Sequence, residues 1–415
     1  MKLQEKEVSA YKAEHQNIAE RLMREMPPFK EAEQLLELVR THFSLAARDT
    51  LHPKVMILGS AFPEELVYAF GITPYWVLGG SLQAGAWAGE LAPRDAAPVS
   101  RSILGFLLGM GEMARDALIL LPIVSDSTRK LAYLLRREGL KVHTLDIPPV
   151  KDESAARKYE RQLELCVEAI SAHSRKRFTR RALHNAASLV AQAHDELRRF
   201  LRLTEERPTL LSAPWRMLIC FSYYCAHDLP QWTELLAGLN DKMEASHTRR
   251  PSRASGNVIL MGSPIYFPNY KIPFLLQDVG LHVAAHLNYT TRRAVTALTI
   301  EEAADITLSG LGQRFYQADC SGSYSKNGTL QAAASELLDS CDVDGVVYCV
   351  LKGQIEYDFE LERLEGGCGE RNIPVFRLET DYNQQDAEQL RIRMEAFIEL
   401  LKLKQFSEQK ARGTA

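Results

Sequence analysis

A short run of branched apolar residues that halts at a glycine and passes straight into a turn occurs twice in this chain, and it constrains the fold more than any other feature. Lys54-Val55-Met56-Ile57-Leu58-Gly59-Ser60 leads into Pro63-Glu64-Glu65-Leu66, and Val258-Ile259-Leu260-Met261-Gly262-Ser263-Pro264 repeats the order of strand, glycine and turn. A strand without a polar face has to be covered on both sides, which is the position of a strand in a parallel sheet wrapped by helices. Proline and acidic residues just afterwards suit the first turn of a helix.

The unit recurs within each half. Ala117-Leu118-Ile119-Leu120-Leu121-Pro122 runs into Ser125-Asp126-Ser127 and a helical stretch over residues 129–138, and Leu140-Lys141-Val142-His143-Thr144-Leu145 supplies a further strand. The second half predicts a helix to residue 279, a strand over 282–285, helices over 300–315 and 330–340, strands over 345–351 and 374–379, and a closing helix over 385–404. Strands alternating with helices specify parallel pairing through crossover connections. The expected fold class is α/β, with two Rossmann-like lobes of parallel sheet, an N-terminal helical hairpin and a helical connecting segment.

A chain of 415 residues exceeds one ordinary core. Residues 1–50 form the N-terminal helical segment, where Leu22 and Met23, then Leu35, Leu36, Leu38 and Val39, recur at helical spacing around a break at Pro27-Pro28. Residues 51–150 are the first lobe. Residues 151–254 are a helical connection, amphipathic over 157–172 and 179–203, with residues 215–225 as its first strand-like run and a basic junction, Ser246 through Arg253, at its end. Residues 255–415 are the second lobe with the C-terminal helix.

The formal net charge of -3, with 46% hydrophobic and 25% charged residues, gives no electrostatic reason to expect nucleic acid. The N-terminus is charged and no apolar run approaches a bilayer's thickness, so the expected location is cytoplasmic, away from the membrane. Seven cysteines, at 166, 220, 225, 320, 341, 349 and 368, include no CxxC pair and signal neither a disulfide framework nor a zinc site. Cys220, Cys225 and Cys349 stand in apolar runs as core residues, whereas Cys320 and Cys368 stand beside glycines in polar sequence and are expected to be accessible.

In open parallel sheets ligands bind beyond the carboxyl ends of the strands. The residues there are Ser60, Glu64 and Glu65 after the first run, Ser125-Asp126-Ser127 and Arg129 after the second, and Ser263 and Gln354 in the other half. Ser125 is read either as part of an anion cradle with Arg129 or, the commoner arrangement, as a helix N-cap. Glu64 is read as a proton-transfer group in a cleft or, again more commonly, as a surface acid in a first helical turn. Neither G-x-G-x-x-G nor G-x-x-x-x-G-K-[ST] follows the leading strands, which disfavours dinucleotide and ATP sites.

Four stretches, taken in order, resemble the 2-hydroxyacyl-CoA dehydratase family, which includes subunits of the ATP-dependent benzoyl-CoA reductases. They are GSAFPEELVYAFG at 59–71, Arg101-Ser102-Ile103-Leu104-Gly105, PIVSDSTRK at 122–130, and DVDGVVYCVLK, IPVFRLETDY and RIRMEAFIELL within 342–401. The resemblance implies a [4Fe-4S] cluster held between the lobes by cysteines, an electron delivered by a separate ATP-dependent activator, and an acyl-CoA ligand. The sequence departs from that pattern at the ligand positions, where Ala97, Ser125 and Gln354 stand. Soft anionic thiolates satisfy iron, and alanine, serine and glutamine are no substitute.

The resulting expectation is a 2-hydroxyacyl-CoA dehydratase-like lyase or benzoyl-CoA reductase-type subunit that binds no cofactor itself and works beside a related partner subunit as a heterodimer. Glu64 and Ser125 are its candidate catalytic residues, and Ser60, Arg129, Ser263 and Gln354 its candidate substrate contacts. The alternative is a non-catalytic acyl-CoA- or anion-binding or assembly protein on the same scaffold. A third reading, a cluster with ligands drawn from Cys320, Cys349, Cys368 or Cys220 with Cys225, ranks last because most of these sit in apolar surroundings far from the strand ends.

Overall fold

The computed structural model describes residues 3–44, 54–93, 96–246, 256–288, 298–322 and 324–413. Two four-stranded sheets organise the chain. The first consists of β1 (Val55–Leu58), β2 (Tyr75–Val77), β3 (Leu118–Ile123) and β4 (Lys141–Asp146), and the second of β5 (Asn257–Gly262), β6 (His282–Asn288), β7 (Gly345–Leu351) and β8 (Val375–Thr380). All pairings are parallel, and the strand orders, β2-β1-β3-β4 and β6-β5-β7-β8, follow one scheme. The leading strands are covered on both faces as their sequence requires: every residue of β1, and every residue of β5 after Asn257, is buried. Each fully buried Val, Leu, Ile or Met side chain contributes roughly 1.5–3 kcal/mol.

The N-terminal hairpin is present as helices Glu5–Arg24 and Lys30–Phe43, with Leu22, Leu35, Leu36 and Val39 facing the core. The middle of the chain is helical, as Glu153–Ser174, Arg180–Glu206, Ala213–Ser222 and Leu229–Ala245. Helix Arg180–Glu206 buries Leu183, Ala187, Val190, His194, Leu197 and Leu201, a stripe at helical spacing. The strand-like run at 215–225 is instead a helix through Ser222 followed by a tight 3-10 turn to Cys225. All its residues are buried, so the polar/apolar alternation that separates helix from strand is missing there, and Pro214 in the first turn starts the helix.

The helix expected over 300–315 is two, Ile300–Ala303 and Leu308–Ala318, because Thr307 turns out of the first and caps the second, its Oγ1 accepting from the Gly310 N–H at 3.0 Å. The first half also holds β2 and helices Leu82–Trp87 and Pro98–Met110, which the strand–turn pattern did not announce. Of the basic junction, residues 247–253 lie outside the described residues. Among the described residues no helix is long and apolar enough to cross a membrane.

Candidate functional site

In each sheet the strand order reverses between the first and third strands, and that switch point leaves a crevice at the carboxyl ends where ligands bind in open α/β folds. Here the two crevices share one cavity of about 80 Å3. Ser60 after β1, Ser125 after β3, Pro264 after β5 and Gln354 after β7 all line it. Residues far apart in sequence thus meet because two copies of one topology present the same ends to each other.

Ala97, Ser125 and Gln354 line this cavity together. Ala97 is the N-cap of Pro98–Met110, Ser125 the N-cap of Asp126–Arg137, and Gln354 stands one residue before the N-cap of Glu356–Glu370. Three helix N-termini therefore face one space, each with unpaired N–H groups and the positive end of its dipole. A thiol at such a position would ionise readily. Across the cavity's floor the halves touch: Gly353, at φ 79, approaches so closely that a Cβ there would lie 3.3 Å from the Ala97 Cα.

Ser125 forms a capping box, its Oγ accepting from the Thr128 N–H at 3.3 Å while Thr128 Oγ1 accepts from the Ser125 N–H at 3.0 Å. Ser60 is 3% exposed and lines the cavity. Ser263 lies behind the cavity as a staple of the second sheet, its Oγ accepting from the Leu351 N–H at 3.0 Å and its own N–H donating to Cys349 O at 2.8 Å. Arg129 projects to solvent, 3.5 Å from Asp146.

Glu64 is not a surface acid, and it is not among the residues lining this cavity. It is fully buried, receives a hydrogen bond from the Tyr223 hydroxyl and lies 3.6 Å from His194 Nε2. The helical middle of the chain folds over this first turn and removes both Glu64 and Glu65 from solvent. Cys320 and Cys368 are also buried rather than accessible. Cys368 sits on the inner face of Glu356–Glu370, where burial pushes its thiol up to about 11, because the glycines beside it continue a helix instead of opening a loop.

Glu356, in the first turn of Glu356–Glu370, lines the cavity beside Gln354. Burial raises its carboxyl above the usual range, and Asp126, from the helix entering on the other side, raises it further. The signal that singled out Gln354, position just past an apolar strand, extends two residues to Glu356. Tyr266 and Tyr357 close the apolar side.

The donor set does not fit an iron–sulfur cluster. The three cap positions present a methyl, a hydroxyl and an amide, and none of the seven cysteines is among the residues lining the cavity. Burial pushes the Cys349 thiol up to about 12, away from the thiolate that iron requires. Among the described residues no cluster of three or more His, Cys, Asp or Glu side chains is arranged to hold a metal ion.

The chain matches the model of the family described as 2-hydroxyglutaryl-CoA dehydratase, D-component, over residues 60–401. It is 23% identical over 348 residues to the YjiM protein of Escherichia coli, covering 82% of this chain and 89% of that one. It is 21% identical over 342 residues to the (R)-phenyllactyl-CoA dehydratase beta subunit of Clostridium sporogenes, covering 82% and 89%. With the (R)-2-hydroxyglutaryl-CoA dehydratase subunit beta of Acidaminococcus fermentans the identity is 23% over 356 residues, covering 82% and 90%.

Proposed function

This chain belongs to the 2-hydroxyglutaryl-CoA dehydratase D-component family, and from that premise we propose that it is a dehydratase-like subunit that receives the acyl end of a CoA thioester in the cavity between its sheets while a partner subunit supplies the metal chemistry. One observation carries the reading: Ala97, Ser125 and Gln354 converge on the cavity from three helix N-termini, yet none is a metal ligand. The scaffold of a redox site is retained and its donors are not.

What the chain's own residues can do there is bind and orient. The Ser60 hydroxyl donates to a carbonyl oxygen, and the free N–H groups of three helix ends favour an oxygen carrying partial negative charge. The apolar wall of Tyr266 and Tyr357 excludes water from the bound group. Two relatives bear the name beta subunit. That supports a heteromer in which a related subunit with intact thiolates, reduced by an ATP-dependent activator, carries the electron step.

Anaerobic purification, followed by iron and sulfide analysis and an absorption spectrum, tests this reading. The chain alone is expected to be colourless and to bind a CoA thioester, and its complex with a cysteine-bearing partner is expected to carry iron. A stoichiometric cluster on the isolated chain would overturn it.

A further inference from the structure

The closing helix, Ala387–Gly413, is apolar on two faces. Leu390, Met394, Phe397, Ile398 and Leu401 are buried, with Phe397 and Leu401 lying over Gly345 at the start of β7. Ile392, Leu400, Leu403 and Phe406 are instead 48 to 69% exposed. No other described helix exposes more than one large apolar side chain. Such residues scattered singly need no explanation, but a group of them along one helix marks an interaction face.

At about 100° per residue, Ile392, Ala396, Leu403 and Phe406 share a strip about 80° wide on the solvent side. With Glu399 they follow the four-three spacing of a helix–helix seam, standing seven and three residues before Glu399 and four and seven after it. The strip therefore reads nearly alike from either end. A second copy running antiparallel, with the twofold axis beside Glu399, sets Ile392 opposite Phe406 and the small Ala396 opposite Leu403. Charge agrees with this direction. Along one flank the acids Glu388, Glu395 and Glu399 come first and Lys402 follows, 2.7 Å from Glu399. Antiparallel pairing places each Lys402 between Glu395 and Glu399 of the other copy, whereas parallel pairing sets like charges against each other. On the other flank Arg393 and Lys404 turn back to their own half, donating to the Arg377 and Asn372 carbonyls, and leave Leu400 at the edge of the seam.

We infer that this chain forms a twofold dimer with a second copy of itself, through antiparallel pairing of the exposed strips of Ala387–Gly413. In a twofold interface one patch has to complement itself, and this strip does so in both its apolar spacing and its charges. The seam from Ile392 to Phe406 runs about 21 Å at a helical rise of about 1.5 Å per residue. That is short for a tight complex and suits a dimer that assembles at micromolar concentration. None of these residues lines the cavity, so the pairing stands apart from the acyl-CoA reading and neither depends on the other.

Sedimentation equilibrium of the full-length chain over roughly 1–100 μM is the test. The wild type is expected to pass from 46.8 kDa to twice that mass across this range. Leu403→Glu removes two buried leucines per dimer and is expected to weaken association by at least about a hundredfold. Glu395→Lys and Lys402→Glu are each expected to weaken it about tenfold alone and to restore it together, because the exchanged charges meet across the axis in the same way. All three side chains are exposed, so each variant is expected to melt with the wild type, which separates lost pairing from lost folding. A wild type that stays monomeric would assign the strip to another occupant, such as a related subunit, and overturn the inference. A dimer indifferent to Leu403→Glu would overturn it by placing the contact elsewhere, and a double variant no tighter than the single ones would overturn the antiparallel register.

Discussion

Glu356 costs the fold something at neutral pH that it does not cost in acid. Its carboxyl is held above the ordinary value by burial first and by Asp126 second. The unfolded chain therefore loses that proton at lower pH than the folded chain, and stability falls as pH rises from the usual carboxylate range up to the folded value. Glu356→Gln is expected to melt higher than wild type near neutrality and to lose that advantage below the carboxylate range. A melting-temperature difference that stays constant with pH would refute this. Ser125→Ala removes one side of a capping box and is expected to cost about 1 kcal/mol in denaturant titrations. Buried Arg216, pushed down to about 10 by desolvation, donates to the Thr204, Val283 and Ala284 carbonyls. Arg216→Leu strands them at a cost on the order of 3 kcal/mol. At this scale the sequence exposes position but not surroundings. Ser60, Ser125 and Gln354 were legible because each stands just past an apolar strand. The burial of Glu64 was not, because Tyr223 and His194 come from helices far along the chain.

Among the elements, the turn after β5 is the least tolerant. Gly262 has φ 106, and a Cβ there would run into the Cys349 carbonyl of β7, the same oxygen that accepts from the Ser263 N–H. Gly262→Ala combines a left-handed backbone with a steric clash and is expected to cost at least about 3 kcal/mol, read as lost yield or a lowered denaturant midpoint. Gly59, at the matching point of the first sheet, has φ 74 but open space around its Cβ, so Gly59→Ala is expected to be the milder change. The strands of both sheets could be read from sequence because burial on both faces leaves unbroken apolar runs bounded by glycine or proline. The same rule misassigned residues 215–225, since a helix surrounded by core looks no different. It also passed over β2, whose three residues are too short to carry a pattern.

For the whole molecule, the lesson lies in duplication. Two sheets of one strand order bring the helix N-termini at Ala97, Ser125 and Gln354 onto a common space, so a three-point seat exists whatever side chains occupy it. The combined substitutions Ala97→Cys, Ser125→Cys and Gln354→Cys, followed by anaerobic reconstitution with ferrous iron and sulfide, are expected to give coloured protein containing both. Ser125→Cys alone is expected to stay colourless. A folded but colourless triple variant would show that the contact of Gly353 with Ala97 has closed the space too far. The convergence itself was implied by the family likeness. The closeness of that contact was invisible, because it depends on how two separately encoded halves come to rest against each other.

The N-terminal helix Glu5–Arg24 bears on that resting position. Glu14 receives hydrogen bonds from the Ser81 hydroxyl and the Leu82 N–H at the head of Leu82–Trp87, in the first half. Two turns later Arg21 stacks 3.9 Å from the Phe274 ring centroid and pairs with Asp278 at 2.6 Å, in the second. One rod is thus fastened at two points, at its middle and near its C-terminal end, like a splint across a joint. The distance between the halves is therefore set in part by a helix that contributes no residue to the cavity they enclose.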